Sequence, residues 1–297
     1  SHAASFAILC YRSAYLKRHY PAEFYCALLN NQPMGFYAPE VITGDAKRHN
    51  VPILPVDINR SMWNCSIEEG SVRIGFRYVK GIGKDKGDRI IKARREDIFT
   101  SLEDFADRVR LDDRSVRNLV AVGAFSDIKR SRRQLLWEAG TLRAMGPAGF
   151  ASLAREDWQE NLPIPEMSTA EETITDYAFQ GFSASHHIMK LYRKALDSLG
   201  AVTSGVLPRC PPGSTVLTAG YMVCLQMPPT AKGGFSFMTL EDEEGLINVV
   251  VRPEVYRMHR TTIRLEPFLL VEGVVEKKDG LINVRAKRFG NLRQRRG

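Results

Sequence analysis

The sequence predicts an α+β multidomain fold, mostly helical at first and ending in a small β-barrel. Three observations carry that expectation. Apolar residues recur at helical spacing in several segments between about residue 3 and residue 200. From about Gly213 the pattern changes to three strands, a short helix and two strands, the order of a five-stranded OB-fold barrel. Between these parts, Gly81-Ile82-Gly83 leads directly into a strongly cationic helix.

The elements follow in order. Phe6, Leu9, Cys10 and Leu16 mark a first helix whose end carries Lys17, Arg18 and His19, where cations complement the helix dipole. Pro21 opens a second helix at its first turn. "APEVITGDAKRHN" makes a short helix that runs into the extended, proline-bounded "VPILPVDIN", and "CSIEEGSVRIGFRYV" alternates around Glu69-Gly70 as a hairpin does. Helices are expected over Lys84–Arg95, over "SLEDFADRV" with Ser101 as N-cap, and in "DDRSVRNLVAVGAFSDI" and "RSRRQLLWEAG". Gly, Pro and Ala then dilute the pattern as far as about Thr169, as in a linker. A further helical stretch stops at Gly200, and the barrel closes with a hairpin turning at Asp279-Gly280.

Composition narrows the function. The 297 residues include enough apolar side chains for real cores, and no apolar run is long enough to span a membrane. No membrane partner is expected, and a cytoplasmic location is. The five cysteines are scattered without metal-ligand spacing, which fits reduced, mostly buried thiols and no bound metal. The formal net charge is +8. Residues 72–135 hold 17 Lys/Arg against 10 Asp/Glu, so nearly all of the excess falls in one stretch. Such a local excess is the footprint of an anionic partner.

Within that stretch, Val79 to Ile91 fits a helix-hairpin-helix pattern. Glycine lacks Cβ, so the backbone amides around Gly81 and Gly83 can approach a phosphate, with the next helix N-terminus behind them. Ile82 plugs the turn into the core, while Lys80, Lys84 and Lys86 form a cationic rim. These contacts would position double-stranded DNA without reading its sequence. A degenerate second hairpin is expected at Val122-Gly123-Ala124, followed by Lys129, Arg130, Arg132 and Arg133. In the barrel, Lys232, Phe235 and Phe237 lie on or before the second strand. OB folds present aromatics there for single-stranded DNA, although side chains two apart on a strand can equally both fill the interior. "LEDEEG" is expected to be an exposed turn, and His186-His187 a helix cap or a surface pair. No nucleophile–base pairing or hydrolase motif is present, and no catalytic residue is assigned. In the linker, Gln159 and Leu162 of "QENLPI" resemble peptides that dock on sliding clamps.

The order of parts resembles the C-terminal part of bacterial C-family DNA polymerases, the polymerase III alpha-subunit type. "SHAASFAILCYRSAYLKRHYPAEFYCALLNNQPMGFY" is similar to the end of their fingers region, and "ILPVDINRSMWNCSIE" to "SVRIGFRYVKGIGKDKGDRII" continues through their hairpin module. "TDYAFQGFSASHHIMKLYR" and "TAKGGFSFMTLEDEEGLINVVVRPEVY" resemble the segments before and within their OB domain. "LLNNQPMGFY" and the end of the chain soon after the barrel resemble the error-prone, translesion branch. Ser185 and Ile188 stand where the family usually has Gly and Pro.

The resemblance implies a distal fingers region over 1–71, a tandem helix-hairpin-helix module over 72–140 and a linker over 141–170. A helical connector over 171–212 and the OB domain over 213–297 complete the expected division. It also implies a nucleotidyltransferase used in DNA repair whose palm aspartates and Mg2+ ions lie outside this chain, leaving the chain alone inactive and without a cofactor. The alternative is a non-catalytic DNA-binding scaffold built from the same modules.

Overall fold

The structure, a computed structural model, describes residues 2–35, 37–144, 164–228 and 234–292. The chain forms two compact units. One comprises Ser1–Asn31 and Asn50–Ser185, the other Gln32–His49 and His186–Gly297.

The first unit begins with α1 (Ala3–His19) and α2 (Pro21–Asn30). α1 buries none of its residues, so Phe6, Leu9 and Leu16 are exposed despite their helical spacing. α2 buries Tyr25, Cys26 and Leu29. A three-stranded sheet follows, in the order β1 (Ile53–Leu54), β3 (Ser71–Arg73), β2 (Ser66–Glu68). Its hairpin turns where expected, because Glu69 and Gly70 both take positive φ.

Among the described residues the unit goes on with the α-helices α4 (Lys84–Ala93), α5 (Leu102–Val109), α6 (Asp113–Ala121), α7 (Arg132–Ala144) and α8 (Thr169–Gln180). Phe99, Phe105 and Phe125 stack edge to face along the core, with ring centroids 5.0 and 5.1 Å apart. Ser101 caps α5 as expected, its Oγ accepting from the Asp104 amide at 3.1 Å. Ser168 and Glu171 form a full capping box at α8.

The second unit holds α3 (Pro39–Arg48), α9 (Arg193–Ser198), α10 (Pro253–Leu265) and the β-barrel. The barrel is made of β5 (Thr215–Gln226), β6 (Ser236–Glu241), β7 (Leu246–Val251), β8 (Phe268–Lys278) and β9 (Leu281–Asn291). β5 pairs with both β6 and β8, and the parallel β7–β9 pairing completes the ring, while β4 (Ala201–Val202) is added outside it. Met238, Leu240, Val249, Val251, Leu269, Val271, Val275 and Val284 alternate inward to fill it. The expected OB order is therefore the one observed.

One expectation fails here. "LEDEEG" is not an exposed turn: Glu241 and Asp242 are fully buried. Asp242 accepts hydrogen bonds from the amides of Ser204, Glu244 and Gly245 and from Ser204 Oγ, which binds the β6–β7 turn together. Glu241 accepts from Arg48 Nη1 at 2.9 Å. Asp242 is buried with its charge met by four donors, whereas Glu241 has Arg48 on Oε1 and a buried Oε2 without a hydrogen bond. Of the cysteines, Cys26 and Cys65 are buried, whereas Cys10 is exposed.

Candidate nucleic-acid interface

The turn before α4 is held from inside. Phe76, Val79 and Ile82 are buried, so the chain can reverse only with Lys80 and Gly81 pushed outward. Gly81 takes φ +82°, where a side chain is strained. Asn118 Nδ2 donates to the Lys80 carbonyl at 2.6 Å and would lie 3.1 Å from a Cβ on Gly81. The Lys80 amide donates to the Phe179 carbonyl at 2.8 Å. The turn is thus fixed by α6 and α8, not by its own sequence alone.

Gly83 is glycine for a different reason. Its backbone is extended (φ −84°, ψ 170°), and a Cβ there would meet nothing within 4 Å. It is the N-cap of α4, and no side chain caps that helix. The leading amides and the positive end of the helix dipole are therefore open to an anion. Lys80 and Lys84 are exposed beside them. Gly87, one turn on, packs so closely that a Cβ would stand 2.8 Å from Trp63 Cε3.

Lys86 behaves differently from the other two lysines. Its Nζ donates to Asp112 Oδ2 at 2.6 Å, to Ser115 Oγ at 2.7 Å and to the Gly81 carbonyl at 3.2 Å. Lys86 braces the turn against the start of α6, and its charge is matched. The Lys86 hydrogen bond, with help from Ser115, holds the Asp112 carboxyl well below the usual carboxylate range.

The second hairpin is closed. Gly123 takes φ +75°, but the Arg132 guanidinium lies over it, within 2.6 Å of where a Cβ would be. Arg132 donates to Asp176 at 2.7 Å, Arg130 to Glu138 at 2.6 Å, and Arg133 to Glu171 at 2.6 Å. Asp176 and Glu138 are buried, so these arginines neutralise acids of α7 and α8. Of the cations assigned to this hairpin, Lys129 alone is exposed without an ion pair among the described residues.

On the barrel, Phe237 points outward, 43% exposed, between the buried Ser236 and Met238. Phe235, just before the strand, is half-buried. Lys232 lies outside the described residues. Strand register places Gln226, Phe237, Val250 and Arg285 side by side across β5, β6, β7 and β9. The next row is Cys224, Thr239, Asn248 and Asn283. An aromatic ring, three amides and a guanidinium thus share one face, and the alternation at Phe237 alone was legible beforehand. His187 caps a short 3-10 helix over Ile188–Tyr192, its Nδ1 accepting from the Met189 amide at 3.2 Å. Among the described residues, no group of three or more His, Cys, Asp or Glu is placed to hold a metal. Nor is any helix among them long and apolar enough to cross a membrane.

Comparison with known proteins fits this layout. Residues 50–135 match the helix-hairpin-helix motif family, and residues 218–292 match the OB-fold nucleic acid binding domain family. A protein of Anaeromyxobacter sp. (strain K) called "Error-prone DNA polymerase" is 39% identical over 96% of this chain and 26% of its own length. Proteins of the same name are 36% identical in Methylococcus capsulatus and 37% identical in Pseudomonas aeruginosa, each over 98% of this chain. The shares of those two relatives are 30% and 28%, so the chain spans about a quarter to a third of the proteins it matches.

Proposed function

Because the chain belongs, over the segment compared, to the family of bacterial error-prone DNA polymerases, we propose that it grips duplex DNA for such a polymerase through sequence-independent phosphate contacts. The observation that carries this reading is the uncapped N-terminus of α4 behind Gly83, flanked by Lys80 and Lys84. A phosphate seated there meets amides, the helix dipole and two ammonium groups that make no ion pair among the described residues. None of these reads a base.

The same reading assigns the outward barrel face to single-stranded template. Phe237 supplies a stacking ring and Arg285 a cation, although Arg285 also pairs with Glu276 at 2.5 Å. Nucleotidyl transfer, repair synthesis and the Mg2+ it requires belong to the larger polymerase. The residues described here do not fit a two-metal site, and no step is assigned to them. Contact with a sliding clamp through Gln159 and Leu162 is part of the proposal, but both lie outside the described residues.

The test is a Gly83→Asp variant in a duplex-binding titration. Aspartate is a good N-cap and has open space at this position, so the fold is retained while a negative charge enters the phosphate seat. Affinity for duplexes of unrelated sequence should fall together, by about tenfold or more. Unchanged affinity with an unchanged melting temperature would overturn the reading.

A further inference from the structure

Arg132 stands where the two helices that hold the Lys80 turn come together. Its guanidinium lies over Gly123, where a Cβ would be 2.6 Å from Nε and Nη2, so only a glycine there leaves it room. From that place Nη1 donates to the Ala121 carbonyl at the end of α6, at 3.4 Å, and to Asp176 Oδ1 on α8, at 2.7 Å. Glu172, one turn earlier on α8, has its carboxylate 3.6 Å from Nε. The Arg132 side chain is 19% exposed, so little of it can reach a phosphate.

Each of these helices also supplies one group to Lys80. Asn118, one turn before Ala121, donates its side-chain amide to the Lys80 carbonyl at 2.6 Å. Phe179, one turn after Asp176, accepts from the Lys80 amide at 2.8 Å. The Phe179 carbonyl is open to that donor because it belongs to the last turn of α8, where carbonyls lack an intrahelical partner. Asp176 Oδ2 accepts from Ser183 Oγ at 2.7 Å. Phe182, next to Ser183, packs edge to face on Tyr78, two residues before Lys80, with ring centroids 5.5 Å apart. Lys80 thus has both backbone polar groups held from outside its hairpin, and the Arg132 guanidinium ties the two holding helices to each other. A shift of α8 against α6 moves the Lys80 backbone, and with it the amides that lead into α4. On the reading that the α4 N-terminus takes a duplex phosphate, we infer that Arg132 is a positioning residue for that seat. It acts through Asp176 and α8 on Lys80, without touching the phosphate.

Charge separates positioning from contact. If Arg132 met a phosphate, removing the Asp176 carboxylate beside it would strengthen duplex binding. A positioning pair instead fails whichever partner is changed. Duplex affinity of the intact chain is measured across salt concentrations for wild type, Arg132→Met, Asp176→Asn, Arg132→Lys and Arg130→Met, with Gly83→Asp as the reference for the seat itself. Arg132→Met and Asp176→Asn should each weaken binding about three- to tenfold at the wild-type log–log slope. Both should also speed amide hydrogen exchange at Lys80, measured well below the melting temperature. Arg132→Lys keeps a donor for Asp176 and should recover part of the loss. Arg130→Met breaks a pair confined to α7 and the loop before it, and should lower the melting temperature while affinity and Lys80 exchange stay as in wild type. Asp176→Asn binding as tightly as wild type, or more tightly, would overturn the inference. So would a loss of about one unit of slope in Arg132→Met, unchanged Lys80 exchange in both variants, or an equal weakening in Arg130→Met. Gly83→Asp tells the two failures apart. If it weakens binding and Asp176→Asn does not, the seat stands and the role of Arg132 falls; if it leaves affinity unchanged, both fall.

Discussion

Gly81 and Gly83, two residues apart, answer different physical demands, and substitution separates them. At Gly81 the backbone sits at φ +82°, so alanine is strained and also crowds Asn118. Gly81→Ala should cost about 1–2 kcal/mol in urea unfolding, whereas Gly83→Asp should cost nothing measurable. Lys86 gives a second prediction at this scale. Its hydrogen bond lowers the Asp112 pKa in the folded state, so the pair stabilises the fold above the unfolded carboxylate pKa of about 4 and that contribution is lost as pH falls. Asp112 is half exposed, and solvent screening limits the pair to about 0.5–1 kcal/mol. Lys86→Met should lower stability by that amount at pH 7 and by less at pH 3, as measured by chemical denaturation at the two pH values.

Two helices differ in how far the sequence announces their packing. For α4 the cue is visible: small Gly87 between apolar positions lets the helix close on Trp63 and Phe76. Gly87→Ala should cost about 1–3 kcal/mol through overpacking, read as a fall in the melting temperature. For α3 nothing local reveals the partner. Gly44 leaves room for Glu241, whose Oε1 would stand 2.7 Å from a Cβ there, and Arg48 meets the same carboxylate 193 residues along the chain. Arg48→Ala strands a fully buried acid and should destabilise the barrel unit by about 3 kcal/mol, with the loss visible in urea unfolding of the intact chain. Partial recovery by the added change Glu241→Gln would identify the buried charge as the cause.

For the molecule as a whole, the architecture was legible because its signals are local. Alternation marked the strands, Glu69-Gly70 and Asp279-Gly280 marked the hairpins, and Ser101 marked a helix start. The Gly-Ile-Gly turn before a cationic helix was legible too, although its anchoring on α6 and α8 was not. What stayed hidden is which cations are free. The basic excess of residues 72–135 looks uniform in sequence. In the fold Lys86, Arg130, Arg132 and Arg133 are spent on Asp112, Glu138, Asp176 and Glu171, the last three beyond that stretch. The alternation at Phe237 left two faces open, and only the buried Ser236 and Met238 turned its ring outward. The proposed duplex grip therefore narrows to one hairpin, whose Lys80 and Lys84 make no ion pair among the described residues, while the arginines of the second hairpin are paired with acids.

The most direct test of that narrowing is the salt dependence of duplex affinity. Wild type, Lys80→Ala with Lys84→Ala, and Arg130→Ala with Lys129 intact are titrated with the same duplex across a range of salt concentrations. The double lysine variant should bind more weakly at low salt and lose about two units of the log–log slope, one per phosphate contact. The arginine variant should keep the wild-type slope while losing stability. A double lysine variant with the wild-type slope, or an arginine variant with a reduced one, would contradict the account.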